Sequence, residues 1–216
     1  MRRLLTAAVA TVIVTSGLSA QTVYNTFGPG NSFNCCTGWT ISSGASSIET
    51  SYTQAYAFLY GGAAGAALAQ IRLAAGFVGG SGELDVTLLD GTDIGTASML
   101  EAWSIPNPSP DFGGSQPIYV LTSVTPVSLN TGDTYWVQLS TPEAMTAWWA
   151  WNWNDQGIMG NGAYSEDDGA TWLARTDATM PAFAVDVGVV PEPGTMTLLA
   201  TGLVGLVGIS RRRKRA

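Results

Sequence analysis

Between about Gln21 and Val189 no stretch sustains the apolar period of a long amphipathic helix, and short runs of period two take its place. Ala69, Ile71 and Leu73 alternate with Gln70 and Arg72, Leu84, Val86 and Leu88 with Asp85 and Thr87, and Tyr135, Val137 and Leu139 with Trp136, Gln138 and Ser140. Successive strand residues point to opposite faces, so each trio reads as the inward face of a half-buried strand. Further strands are expected near Trp39–Ser42, Ala55–Leu59, Ile118–Val124, Ala147–Trp151 and Ala182–Val187. Gly, Asn, Asp, Ser and Pro cut these runs apart, as turns between short strands do. Residues 61–67 read as one helical turn or a loose loop, and the proline-rich stretch 106–116 as a long loop. The expectation is an all-β domain, an antiparallel two-sheet sandwich of jelly-roll type, over residues 21–189.

Both ends carry a different pattern. Met1-Arg2-Arg3, the apolar run Leu4–Ser16 and the small residues Leu18-Ser19-Ala20 read as a signal peptide over residues 1–20, cut by signal peptidase near Gln21. Arg2-Arg3 lacks the surroundings of a twin-arginine signal, which leaves the general secretory route. Residues 190–216 hold three parts in order: Pro191-Glu192-Pro193, an uncharged apolar run over about 195–210, and Arg211, Arg212, Arg213, Lys214 and Arg215. Proline fixes its own φ and pushes the preceding residue to extended backbone, so the tripeptide is an exposed linker. The apolar run reads as one C-terminal transmembrane helix. At ~1.5 Å per residue it reaches roughly 23 Å, short of a ~30 Å hydrocarbon core, with snorkelling arginines and local thinning to close the gap. The basic cluster is a topology signal that keeps the extreme C-terminus in the cytoplasm and everything before the helix outside.

The tail, from Val190-Pro191-Glu192-Pro193 and Gly194 through the Leu/Gly-rich span to the terminal arginines, resembles the PEP-CTERM sorting signal, whose processing enzyme is the membrane protease exosortase. The resemblance implies an exported protein that is held in the cytoplasmic membrane as an intermediate. Exosortase then cuts it at or near the Pro-Glu-Pro motif and passes it to the cell surface or an extracellular polysaccharide matrix. A second resemblance is diffuse and spans about residues 24–187. Tyr56-Ala57-Phe58, Leu68–Leu73, Leu84–Leu89 with Gly95-Thr96, Leu100–Trp103, Leu129–Gly132 leading to Tyr135-Trp136, Trp149–Trp153 and Gly169–Trp172 together resemble the choice-of-anchor R domain. That likeness implies a β-sandwich on the outside of a cell and brings no catalytic residues with it.

Charge and composition narrow the function classes. The formal net charge of −7 hides an asymmetry: within 21–189 only Arg72 and Arg175 are basic, against fifteen Asp and Glu. So acidic a domain repels nucleic acid, anionic lipid and other polyanions; the acidity either simply keeps an exported domain soluble or leaves neutral sugars or divalent cations as company, and the first reading is preferred. There is no histidine, which removes Ser-His-Asp and Cys-His catalysis and His-containing zinc sites. No G-x-S-x-G and no phosphate-cradling glycine loop is present. Glu49, Glu83, Glu101 and Glu143 could supply a carboxylate pair for a glycan-active enzyme, but no motif singles out two of them. The expected role is non-enzymatic, with no cofactor and no metal.

Three motifs remain. Ser165-Glu166-Asp167-Asp168-Gly169-Ala170-Thr171-Trp172 fits the Asp-box pattern, in which Ser165, Asp167, Gly169 and Trp172 tie down a hairpin turn; a calcium site at Asp167 and Asp168 is the other reading. Trp149, Trp151 and Trp153 share one face if their segment is a strand. Such a row is either a stacking platform for sugar rings, with Asn152, Asn154 and Asp155 beside it, or part of the core with Trp148 opposite. Cys35 and Cys36 are adjacent, with Cα atoms ~3.8 Å apart where ordinary disulfides need more. A vicinal disulfide, a bridge to a second chain and two buried thiols are the options, and the loop residues Asn34 and Thr37-Gly38 favour the vicinal link.

Overall fold

The alternation resolves into strands in a computed structural model, which describes residues 20–106, 112–114 and 116–188. In chain order they are β1 (Ala20–Asn25), β2 (Gly38–Ser42), β3 (Thr53–Leu59), β4 (Ala66–Gly79), β5 (Leu84–Asp90), β6 (Ser98–Ile105) and β7 (Ile118–Thr122). They continue with β8 (Ser128–Leu129), β9 (Thr134–Ser140), β10 (Trp148–Asn152), β11 (Met159–Ser165), β12 (Leu173–Thr179) and β13 (Phe183–Gly188). A 3₁₀ turn at Pro29–Asn31 is the one helical element among the described residues. The stretch 61–67 ends as a turn running into β4.

All pairings are antiparallel, and they make two sheets. One has the order β1-β13-β4-β10-β2, with β7 and β8 also on β4; the other runs β12-β11-β3-β9-β5-β6. Strand β4 is long enough to serve several partners: β13 pairs with its residues 68–73, β7 with 70–74 and β10 with 75–79. The inner faces of both sheets meet in one core. Ile71, Leu73 and Phe77 of β4, Trp149 and Trp151 of β10 and Phe183 and Val185 of β13 pack with Tyr56, Phe58, Val86, Leu88, Val137 and Leu139 of the other sheet. At one margin the sheets are tied by polar bonds from β6: the Trp103 indole donates to the Thr122 carbonyl at 2.9 Å, and Glu101 accepts from Ser123, Val124 and Thr125 just after β7.

The trio Ala69, Ile71, Leu73 is only partly inward. A register shift between Asp186 and Val187 opposite β4 passes the inward position from Ile71 to Leu68, so Leu68 enters the core and Ala69 does not. Strands β11 and β12 carry no apolar alternation, because Met159–Ser165 is interrupted by glycines and Leu173–Thr179 is a largely exposed edge strand.

Candidate functional site

The sandwich delivers both terminal segments to one place. Ala20 at the start of β1 pairs with Gly188 at the end of β13, so the N-terminal and C-terminal extensions leave from the same corner. Pro191 follows Gly188 by three residues, a reach of at most ~10 Å. The sorting residues Pro191, Glu192 and Pro193, the apolar run 195–210 and the basic residues Arg211, Arg212, Arg213, Lys214 and Arg215 lie outside the described residues, as does the signal segment 1–19.

That corner is held by a charged network that the sequence pattern does not announce. Arg72 on β4 donates from Nε to Asp186 Oδ2 at 2.8 Å and from Nη2 to Oδ1 at 3.2 Å, a bidentate pair. Thr22 of β1 donates to Asp186 Oδ1 at 2.6 Å and Gln70 to Oδ2 at 2.8 Å, so the carboxylate joins β1, β13 and β4. Burial works to raise the Asp186 pKa; the bonds from Arg72, Thr22 and Gln70 and the Arg72 charge outweigh it and hold the carboxyl below its ordinary value. One signal was available: Arg72 is one of only two cations in a domain of fifteen acids.

The Asp-box residues form the expected turn between β11 and β12. The Ser165 hydroxyl donates to Asp167 Oδ1 at 2.6 Å and accepts the Gly169 N–H at 2.8 Å. Asp167 Oδ1 accepts the Thr171 N–H at 2.8 Å and Oδ2 the Thr171 hydroxyl at 2.7 Å. Asp168 and Gly169 both have positive φ, 57° and 88°, where glycine is free of the Cβ clash. The hydroxyls of Ser165 and Thr171, with the Thr171 amide, pull Asp167 down to about 2. Both of its oxygens are used inside the turn, and Asp168 accepts the Ser51 hydroxyl. Trp172 packs against a small apolar cluster of Ala55, Leu89, Ile94, Trp136 and Ala163.

The tryptophan row takes the core alternative. Trp149 and Trp151 are 0 % exposed, so neither can stack on a sugar ring, and the platform reading of these two residues is corrected. Trp151 meets Tyr56 edge-on at 5.6 Å, and Trp149 meets Phe77 at 5.0 Å. Only Trp153 is half-exposed, and it lies against Trp39 at 5.3 Å. The Arg175 guanidinium sits 4.1 Å from both the Trp39 and the Tyr164 ring centres and donates to Gln54 Oε1 at 2.8 Å. Burial pushes the Tyr56 hydroxyl well above its ordinary value, against the charge of Arg175.

Cys35 and Cys36 are joined as a vicinal disulfide in a turn. The Cys36 N–H bonds Asn34 Oδ1 at 3.1 Å, while Asn34 and Thr37 bracket Trp153 through Asn34 N–H to Trp153 O at 2.9 Å and Trp153 N–H to Thr37 O at 3.1 Å. Among the candidate glutamates, Glu101 is buried and saturated: Ser123 donates at 2.6 Å and the Val124 and Thr125 amides at 2.7 and 3.2 Å. Burial works to raise its pKa, the bonds from Ser123, Val124 and Thr125 outweigh it, and the net is a lowered carboxyl that anchors the loop after β7. Glu143 is exposed and Glu83 accepts the Ser104 hydroxyl at 2.6 Å.

The fold and its two exits define a two-sheet all-β domain with a C-terminal extension leaving directly from its last strand. Residues 189–214 of that extension match the PEP-CTERM protein-sorting motif. The match supports exosortase-dependent sorting of an exported protein, with transient anchoring in the membrane before release. No curated protein and no solved structure matches the chain.

Proposed function

We propose that this chain is a non-enzymatic protein of the cell surface or extracellular matrix, delivered as a membrane-anchored intermediate and freed by exosortase at or near Pro191-Glu192-Pro193. The observation that carries this reading is the sorting-motif match beginning at residue 189, one position after β13 ends. The matched segment therefore begins just past the last described strand, and a cut at or near Pro191-Glu192-Pro193 removes none of the described strands. The domain fits a passive or binding role because its buried glutamate serves a loop and its Asp box serves a turn. In this reading the sandwich is a choice-of-anchor R-like ectodomain of jelly-roll type, supported by the residue pattern from Tyr56 to Trp172. Signal peptidase removes residues 1–20, the helix over 195–210 holds the intermediate, and Arg211–Arg215 set its orientation.

Intact mass of the protein recovered from its native host, from membrane and from medium separately, tests the proposal. A released species that has lost both ends, with a new C-terminus near Pro191–Gly194, is expected. Glu192→Ala should leave insertion intact and block release. A tail found whole and only in the membrane, or normal release of the Glu192 variant, would overturn it.

A further inference from the structure

The outer face of the six-stranded sheet carries a hollow that sorting does not use. Ala55 pairs with Ala163 across β3 and β11, and Trp136 of β9 pairs with Ala57 on one side and Leu89 on the other. These residues alternate with the core residues Tyr56, Val137 and Leu88, so they face away from the core. The loop after β5 folds back over this face: Ile94 is buried there, and the Trp136 indole donates to the Gly91 carbonyl at 2.9 Å. Trp172, where the Asp-box turn leads into β12, lines the same hollow with its ring beside Gly95 of that loop. The hollow is a cavity of about 290 Å³ walled by Trp136, Trp172, Ile94, Thr92 and Asp93. Its floor is Gly162, Ala163 and Ala174, residues too small to fill it.

The chemistry of these walls selects one kind of occupant. Trp172, half-exposed, offers the apolar ring face that receives the C–H face of a sugar ring, while Trp136, buried and with its N–H spent on Gly91, closes the wall behind it. The Trp172 ring is seated beside Gly95 and Gly169, where an added Cβ would come to 3.9 and 3.6 Å of it, and it stays half-exposed. Asp93 is oriented by the Gly95 N–H, which it accepts through Oδ1 at 2.8 Å, and no described residue occupies its second oxygen. A purely apolar ligand would strip water from Asp93 and Thr92 and return no hydrogen bond. An anionic one would meet a carboxylate, no cation in the lining, and a strongly acidic domain. A neutral, hydroxyl-rich ring satisfies all three conditions. We propose that this hollow binds a neutral pyranose unit of a polysaccharide, stacked on Trp172, with its hydroxyls bonded to Asp93 and Thr92. The site belongs to the folded domain and is independent of how the tail is cut.

The test uses the full chain, purified in a polyoxyethylene-ether detergent without a sugar headgroup. Its mobility is followed in native gels containing dextran, galactomannan or mixed-linkage β-glucan, and in gels containing alginate as the anionic control. At least one neutral polysaccharide should retard the wild-type protein, and Trp172→Ala should weaken that retardation about tenfold or more. Ala174→Phe, at an exposed edge-strand position, fills the floor and should abolish retardation with an unchanged melting temperature. Trp153→Ala should retain it. Retardation by alginate alone, by none of the polymers, or surviving both Trp172→Ala and Ala174→Phe would overturn the proposal. None of these outcomes touches the mass measurement that tests sorting.

Discussion

Arg72→Met would show how much the corner bearing both terminal segments depends on one ion pair. The substitution keeps most of the apolar stem and removes the cation. It leaves the Asp186 carboxylate, 3 % exposed, with only Thr22 and Gln70 as donors. Removing one partner of a buried pair costs about 3–5 kcal/mol, because the other charge stays buried. The Arg72 side chain is itself 17 % exposed and two neutral donors remain, so the loss should fall at the lower end, about 3 kcal/mol. With a urea m-value of about 2 kcal/mol/M, the midpoint should drop by about 1.5 M. The pH dependence carries a sign. In the wild type the Asp186 pKa is depressed, so its stabilisation is present above the unfolded value of about 3.9 and is lost as pH falls through the folded value. In Arg72→Met burial is no longer opposed by a cation, and the pKa moves above the unfolded value. Acidification then protonates a group that is costly to keep charged, so the gap between variant and wild type should narrow from about pH 7 to about pH 4.5. Urea unfolding of the released protein at the two pH values is the assay. A loss below about 1 kcal/mol, or a gap indifferent to pH, would refute the reasoning.

Trp151→Ala removes a fully buried indole between Tyr56 and Phe183 and should cost about 3–5 kcal/mol in the same assay. Trp172→Ala, half-exposed on the outer face, should cost far less, which separates the core tryptophans from the ligand-facing one. Asp167 should titrate at about 2 by carboxyl NMR. Its contribution to the hairpin holds above the unfolded value and fades as pH falls through about 2, so Asp167→Ala should speed amide exchange at Thr171 at neutral pH. Cys35 and Cys36 should yield no titratable thiol in the unfolded, unreduced protein and two after reduction, with the chain monomeric throughout on non-reducing gels.

Much of the fold was legible because its signals are local. Leu84, Val86 and Leu88 alternate with polar neighbours, and that pattern alone predicts a half-buried strand. The Asp box was legible for the same reason, since the side-chain bonds that make the turn run among Ser165, Asp167, Gly169 and Thr171, close neighbours in the chain. Strands β11 and β12 were not, because glycines and an exposed edge erase the alternation.

The tail was determined by sequence alone. A Pro-Glu-Pro motif, an apolar run and a basic cluster act through chain order and hydropathy, and need no tertiary partner to be read. The tertiary structure decided which face of each strand meets the core. The alternation of Trp149, Trp151 and Trp153 states that they share a side, and only the opposing sheet, with Tyr56 and Phe183 against Trp151, makes that side the interior. It also decided that Trp136 and Trp172, thirty-six positions apart, flank one hollow, and that Asp186 meets Arg72 from more than a hundred residues away. Such pairings depend on register between distant strands, and a one-residue slip would turn each of these side chains to the other face.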